Sequence, residues 1–476
     1  MNPKILPAAF ALTAFVAVSC STGDGGAGEG SVRTAPEMYP ITVVAGDQSG
    51  VDGEQSRASW DGGAAYLWAV GDQSGLTIAP TGSTSHVAHN VCMSGDHTEP
   101  SVGATFTGEL NASQIDAMSA ADKYDYYSYF PHSATAHSAV AFPNVQFVIP
   151  SSISVTKNVL NSDYAPMVAT PVKNVGPITW RDGEVQMFGP TVHFNYRHVM
   201  SYMAIRMRIN LMSAPVTKIV ITNTTGGTVS GPLNVNLDNG SAAWAGGSSS
   251  LTVNIPGGFN VGDVIYVPML PGDMGSQRFR FDFYINGSIP NTISTVDNIP
   301  GGVFERGKVH NLRLKVPFHV NFGALGKSNQ RDPGNFSYGG YGFWGNESIF
   351  LRSDNVKFTR GFLSGRGKAV LRLPAFNLTN SDGRTDIPVS LSVYGTGGMD
   401  IADSDRHLCY QAISSSSTSV STSSYMVLDY GNDNYSVKSG SLSLTPTSPC
   451  VGFLMDQYTS CAMEPALKDI WVVPNY

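Results

Sequence analysis

From Ala58 to the C-terminus the chain is built of short apolar runs separated by Gly, Pro, Asn and Ser, and this punctuation restricts the fold more than any other feature. Val145-Gln146-Phe147-Val148-Ile149, Ile205-Arg206-Met207-Arg208-Ile209, Lys218-Ile219-Val220-Ile221-Thr222, Leu251-Thr252-Val253-Asn254-Ile255 and Phe279-Arg280-Phe281-Asp282-Phe283 are examples. Several alternate with period two, the pattern of a strand with one face on a core and the other in water. Ala65–Val70 reads as a further strand, and Asn111–Ala120 is the single helix candidate. The expected class is therefore all-β. With 476 residues the chain has length for about three domains. At 42% hydrophobic, 10% aromatic and 14% charged residues it is too rich in core formers to be disordered throughout. A net charge of −7 with no Lys/Arg-rich face argues against nucleic acid as partner.

The N-terminus points to export. Met1-Asn2-Pro3-Lys4 carries one positive charge, and the apolar run Ile5–Val18 is too short for a permanent membrane helix. It ends in Ala17-Val18-Ser19-Cys20 and gives way to polar, Gly-rich Ser21–Gly26. The pattern is similar to the lipobox of a bacterial lipoprotein, which implies removal of residues 1–19 and diacylation of Cys20. An ordinary secretory signal with an incidental cysteine is the competing reading. Of the remaining cysteines, Cys92, Cys409, Cys450 and Cys461, three pairings are open. Cys450 and Cys461 are nearest in sequence, and four buried free thiols are the alternative.

After a tether at 21–36, Met38–Ala45 reads as a strand with Ile41, Val43 and Val44 as its apolar residues. A turn-rich stretch follows and ends at Arg57-Ala58. Gly-Asp-Gln-Ser-Gly occurs at Gly46–Gly50 and again at Gly71–Gly75, read as two similar turns that each follow a strand. Looser stretches suggest boundaries near Pro190 and Pro317, and the chain closes on the apolar run Ile470-Trp471-Val472-Val473. Such a run fits a strand buried on both faces or one lent to a neighbour.

In order along the chain, several motifs resemble the fimbrillin family, the lipoprotein pilins of type V fimbriae. They are the lipobox at Cys20, Ile41-Thr42-Val43-Val44 followed by Ser56-Arg57-Ala58, and Val192-His193-Phe194-Asn195-Tyr196-Arg197-His198. Val264–Gly272 and Phe304–Leu312 complete the set. The resemblance implies two transthyretin-like, Greek-key β-sandwich pilin domains, 58–189 and 190–316, after a removable segment at 20–57. It covers about two thirds of the chain and leaves 317–476 as an extra C-terminal β-rich domain, similar to those of tip or accessory subunits. It further implies an outer-membrane lipoprotein precursor, trypsin-like cleavage between Arg57 and Ala58, and loss of Ile41, Val43 and Val44. The groove so opened would be filled by a strand of the next subunit. Arg33 also offers a cleavage site, but it precedes the strand, so a cut there opens no groove. The implied partners are other fimbrial subunits, the outer membrane through the lipid, and a host or bacterial receptor or glycan. Ile470, Trp471, Val472 and Val473 are the candidate C-terminal donor strand.

Other residue clusters were weighed for chemistry. His86, His89 and Cys92 are spaced so that neighbours fall on opposite faces of a strand, as do His193 and His198, so structural histidines are expected and no metal. Asp400, Asp403 and Asp405, like Asp429, Asn432 and Asp433, lack the calcium-loop pattern. Tyr338, Tyr341, Phe343 and Trp344 lie in a Gly-rich aromatic stretch that could stack on a ligand or plug a core. No nucleophile elbow, zinc-protease helix, phosphate loop or dinucleotide fingerprint occurs. A non-enzymatic protein without cofactor is expected, with a glycan-binding monomeric surface lipoprotein as the alternative.

Overall fold

The computed structural model describes residues 38–45 and 68–475, apart from 100, 102, 119–121, 177–178, 182–183, 189–191, 213, 286–291, 323–329, 339–340, 347–348, 352–355, 359–366, 397–405, 414–425, 430–436, 446–449 and 458–465. These residues are nearly all strand. The predicted runs at Val145, Ile205, Lys218, Leu251 and Phe279 form Asn144–Ile149, Ser201–Asn210, Val216–Asn223, Ser250–Phe259 and Arg278–Ile285. The helix candidate shrinks to Ala112–Asp116. Asn111 accepts from the Gln114 amide while the Gln114 side chain accepts from the Asn111 amide, which closes a capping box at its start.

The first sheet runs, edge to edge, Val192–Phe194, Met38–Ala45, Ala104–Asn111, Ala88–Gly95, Gln73–Pro80, Tyr124–Phe130, Met167–Ala169 and Tyr196–His198, with Val172–Val175 also on Tyr124–Phe130. Trp68 lies at the heart of its core, edge-on to Phe106, Phe130 and Tyr196 at centroid distances of 5.1, 5.1 and 5.2 Å. Edge-to-face aromatic contacts of this kind add to the burial itself. Of the expected strand over Ala65–Val70, residues 65–67 lie outside the described residues, and Trp68, Ala69 and Val70 form no strand. Trp68 makes one isolated bridge to Ser101, Val70 is exposed, and the strand begins at Gln73. The second Gly-Asp-Gln-Ser-Gly is thus a turn running into a strand, and Gly75 is inside that strand; the first copy lies outside the described residues.

Strand pairing crosses the expected boundary at Pro190 in both directions. Val192–Phe194 and Tyr196–His198 join the first sheet. Asn144–Ile149 and Ser152–Ser154 pair forward instead, with Gly231–Asn236 and Ser250–Phe259. The motif read as the opening of a second domain therefore closes the first sheet. The hydrophobic core is likewise continuous past Pro317, with Phe281, Phe283 and Val316 in one buried cluster with Phe318, Tyr341, Phe376, Ile470 and Val472.

Two sheets form the C-terminal part. One runs Gln330–Arg331, Ile349–Leu351, Val356–Phe358, Ala466–Pro474, Ile387–Thr396 and Val437–Leu444, with Phe318–Asn321 also on Ala466–Pro474. The other runs Gly334–Tyr338, Tyr341–Gly345, Gly367–Arg372, Cys450–Gln457, Arg406–Ile413 and Met426–Asp429.

Candidate functional site: the slot of the first strand

Met38–Ala45 forms a strand over the span read from sequence. It pairs antiparallel with Ala104–Asn111 along its whole length, from Met38 opposite Asn111 to Ala45 opposite Ala104. On its other side Val43, Val44 and Ala45 pair in parallel with Val192, His193 and Phe194. The side chains alternate as a half-buried strand must: Ile41, Val43 and Ala45 are buried, and Pro40 and Thr42 are exposed. Val44, expected among the apolar residues that fill the core, points the other way and is half-buried; Ala45 takes the third inward position. The three inward residues share a core with Trp68, Phe106, Leu110, Ile115 and Phe194. Without this strand the Ala104–Asn111 backbone would lose its partner on that side, and a trough shaped for two branched side chains and one methyl would open. Cys20, Arg57 and Ala58 lie outside the described residues.

The closing strand, Ala466–Pro474, is paired within its own chain on both edges. One side pairs with Ile387–Thr396, and the other with Val356–Phe358 and then Phe318–Asn321. Ile470 and Val472 are fully buried, Trp471 is half-buried and Val473 exposed. Pairing on both edges is the arrangement of an interior strand.

The aromatic stretch divides. Tyr341 and Phe343 are core, with Tyr341 packed on Phe318 at 4.5 Å and Phe343 on Phe322 and Phe336 at 5.4 and 5.3 Å between ring centroids. Their alternation in Tyr341–Gly345 puts them inward, which removes them as ligand-stacking residues. Trp344 is half-buried against Val370, Ile413 and Cys450. Tyr338 remains near the surface, donating its hydroxyl to the Asn321 carbonyl at 2.6 Å. Cys450 is a buried free thiol, so it is not paired with Cys461, which lies outside the described residues; Cys92 is free and exposed. The 400–405 acidic loop, Asn432 and Asp433 also lie outside the described residues.

The histidines of the first sheet were only half legible. His193 is exposed and His198 buried, on opposite faces as their spacing requires. His198 Nδ1 meets the Tyr202 hydroxyl at 2.9 Å, and burial, then the charge of Arg306, pushes its pKa down to about 3. His86 and His89, expected apart, are stacked at 4.0 Å, and His137 lies 4.1 Å from His89. His86 precedes the strand Ala88–Gly95, so strand alternation does not govern it, and a bulge interrupts the alternation within the strand itself. Leu76 faces Val91 and Ile78 faces Ala88, so the partner strand carries one extra residue, and Asn90 takes up the strain at φ +54°. Odd spacing then no longer means opposite faces. Stacked rings direct their nitrogen lone pairs side by side, not at a common point. Among the described residues no group of three His, Cys, Asp or Glu is arranged to hold a metal ion.

No family model and no curated protein matches this chain. Solved structures are similar at low identity. A candidate cell adhesion protein of Bacteroides ovatus is 14% identical, with 59% of this chain and 94% of that one covered at a TM-score of 0.38. One of Bacteroides uniformis is 15% identical over 58% and 93%, at 0.36. A fimbrial protein of Bacteroides ovatus is 12% identical over 53% and 45%, at 0.26. At such identities and TM-scores the likeness does not by itself assign a function.

Proposed function

We propose that the protein is a structural subunit of a cell-surface fimbria, at its tip or in an accessory position, in which Met38–Ala45 is a placeholder removed at maturation. The observation that carries this reading is the seat of that strand: sequence-terminal, held between two backbones, and filling the core with three side chains. Its N-terminal position lets a single cut at Arg57 separate it from every other described strand. Burial of Ile41 and Val43 stabilises the strand by roughly 1.5–3 kcal/mol each, and the backbone ladder adds to it. An incoming strand with apolar residues at alternate positions regains both terms, which is the physics of β-strand addition. Lipidation at Cys20 would hold the precursor at the outer membrane until the exchange, and residues 317–476 would contribute adhesion or capping.

Treatment of the purified precursor with an arginine-specific protease tests this. Cleavage after Arg57, release of residues 38–45 and uptake of a partner subunit's strand are the expected results. Resistance at Arg57, or a cut product that keeps the strand and stays monomeric beside partner subunits, would overturn the proposal.

A further inference from the structure

The outward face of the closing strand carries a feature that the first-strand slot does not use. Asp469, Trp471, Val473 and Asn475 point away from the core, alternating with the buried Ile470, Val472 and Pro474. On one side His319 is directly opposite Trp471 and stacks on it, ring centroids 3.7 Å apart and planes within 16°. His319 Nε2 also meets Asp469 Oδ1 at 3.0 Å, which fixes the imidazole. On the other side Trp471 faces Ser392, and Val473 faces Ser390, with Ser441 opposite Ser390 on the strand beyond. With His319 stacked on one face of the indole, the residue opposite Trp471 on the other neighbouring strand is a serine, too small to cover an indole. The outward row so formed holds Trp471, the hydroxyls of Ser392 and Ser390, the second of them bonded to the Asn475 side-chain amide, and the exposed isopropyl group of Val473.

From this arrangement we propose that the outer face of the C-terminal sheet binds a neutral saccharide, with its pyranose ring laid against the free face of Trp471. The C–H face of a pyranose matches an aromatic plane, and its hydroxyls match serine hydroxyls, which both donate and accept. Adjacent outward positions are about 7 Å apart along a strand and about 4.8 Å apart between strands, so the row accommodates a mono- or disaccharide. Asp469, the carboxylate beside the ring, disfavours acidic sugars and phosphates. The binding face does not depend on the fate of Met38–Ala45, so either proposal can fail without the other.

The full-length chain is applied to a printed array of neutral and sialylated oligosaccharides, then titrated with lactose, cellobiose and sialyllactose while tryptophan fluorescence is followed. The expected result is retention of at least one neutral glycan with a shift in emission. Trp471→Ala and Ser392→Trp should each weaken binding tenfold or more, and any sialylated form should bind more weakly than its neutral parent. Ser392→Trp fills the row beside Trp471 from the outer face and leaves the core untouched, so it reads out binding even where loss of Trp471 disturbs folding. Absence of any retained neutral glycan, or binding unchanged by Ser392→Trp, would overturn the assignment.

Discussion

Single residues in the first sheet show how groups that sequence spacing keeps apart can meet beside one backbone irregularity. Beside the bulge at Ala88–Val91, His86 from ahead of the strand stacks on His89, and His137 from a loop meets His89 at a tilt. Burial, then His137 and His86, push the His89 pKa down to about 4, and burial leads the lowering at His137. Both groups therefore take up protons more readily unfolded than folded. Their contribution is complete above the ordinary imidazole value of about 6.5 and is lost as pH falls toward about 4. Thermal melts should show Tm dropping across that window, and His89→Gln should flatten the drop by a few degrees; parallel profiles for the two proteins would refute the assignment. Gly75 makes a second case. A Cβ placed there would lie 2.2 Å from the Tyr129 ring, whose hydroxyl is itself bonded to Asn90 Oδ1. Gly75→Ala should cost about 1–3 kcal/mol in denaturant unfolding, the usual penalty of overpacking. A loss under about 0.5 kcal/mol, the range of ordinary surface changes, would mean that Tyr129 moves freely.

Elements were legible where local pattern decides and opaque where partners decide. Met38–Ala45 has the span read from its sequence, since a strand's faces are set by its own residues. Of the run Ala65–Val70 only Trp68, Ala69 and Val70 are described, and there Trp68 acts as a buried anchor with a single isolated bridge. For the first strand, inward and outward positions make a clean test. Val43 is fully buried whereas its neighbour Thr42 is exposed. Val43→Asp puts a carboxylate among Phe106 and Phe194 and should cost on the order of 2–4 kcal/mol, freeing the strand from its slot. Limited proteolysis should then remove residues 38–45 from the variant faster than from the parent chain. Thr42→Asp should stay within about 0.5 kcal/mol of the parent. Equal proteolysis of Val43→Asp and Thr42→Asp would mean that the slot does not hold the strand through its side chains.

At the scale of the whole molecule, strand pairing and packing run across both Pro190 and Pro317, the positions suggested as boundaries by loosened sequence. Boundaries are read from local punctuation, but cohesion comes from non-local contacts that punctuation does not encode. Across Pro317 those contacts are specific. Ser294 donates to the Pro317 carbonyl at 2.7 Å, and Arg208 binds Asp382 at 2.7 and 3.1 Å through two nitrogens. The Ser381 amide donates to the Arg208 carbonyl, and Ile209 bridges Asn380. Phe281, Phe283 and Val316 share their buried cluster with residues from Phe318 to Val472. A chain ended at Val316 would then not be self-sufficient, because part of its core would face water. It should bind a hydrophobic dye and melt at lower temperature than the full chain. Ending the chain before Ala466 should have a related effect through a different cause. That cut removes the strand that joins Ile387–Thr396 to Phe318–Asn321, so the C-terminal sheet separates while the preceding residues keep part of their cover. If the version ended at Val316 keeps the Tm of the full chain and binds no dye, residues 317–476 are an appended module after all. If it loses both properties, the C-terminal part is built into the same core, and its outer sheet face is carried rigidly with the residues before it.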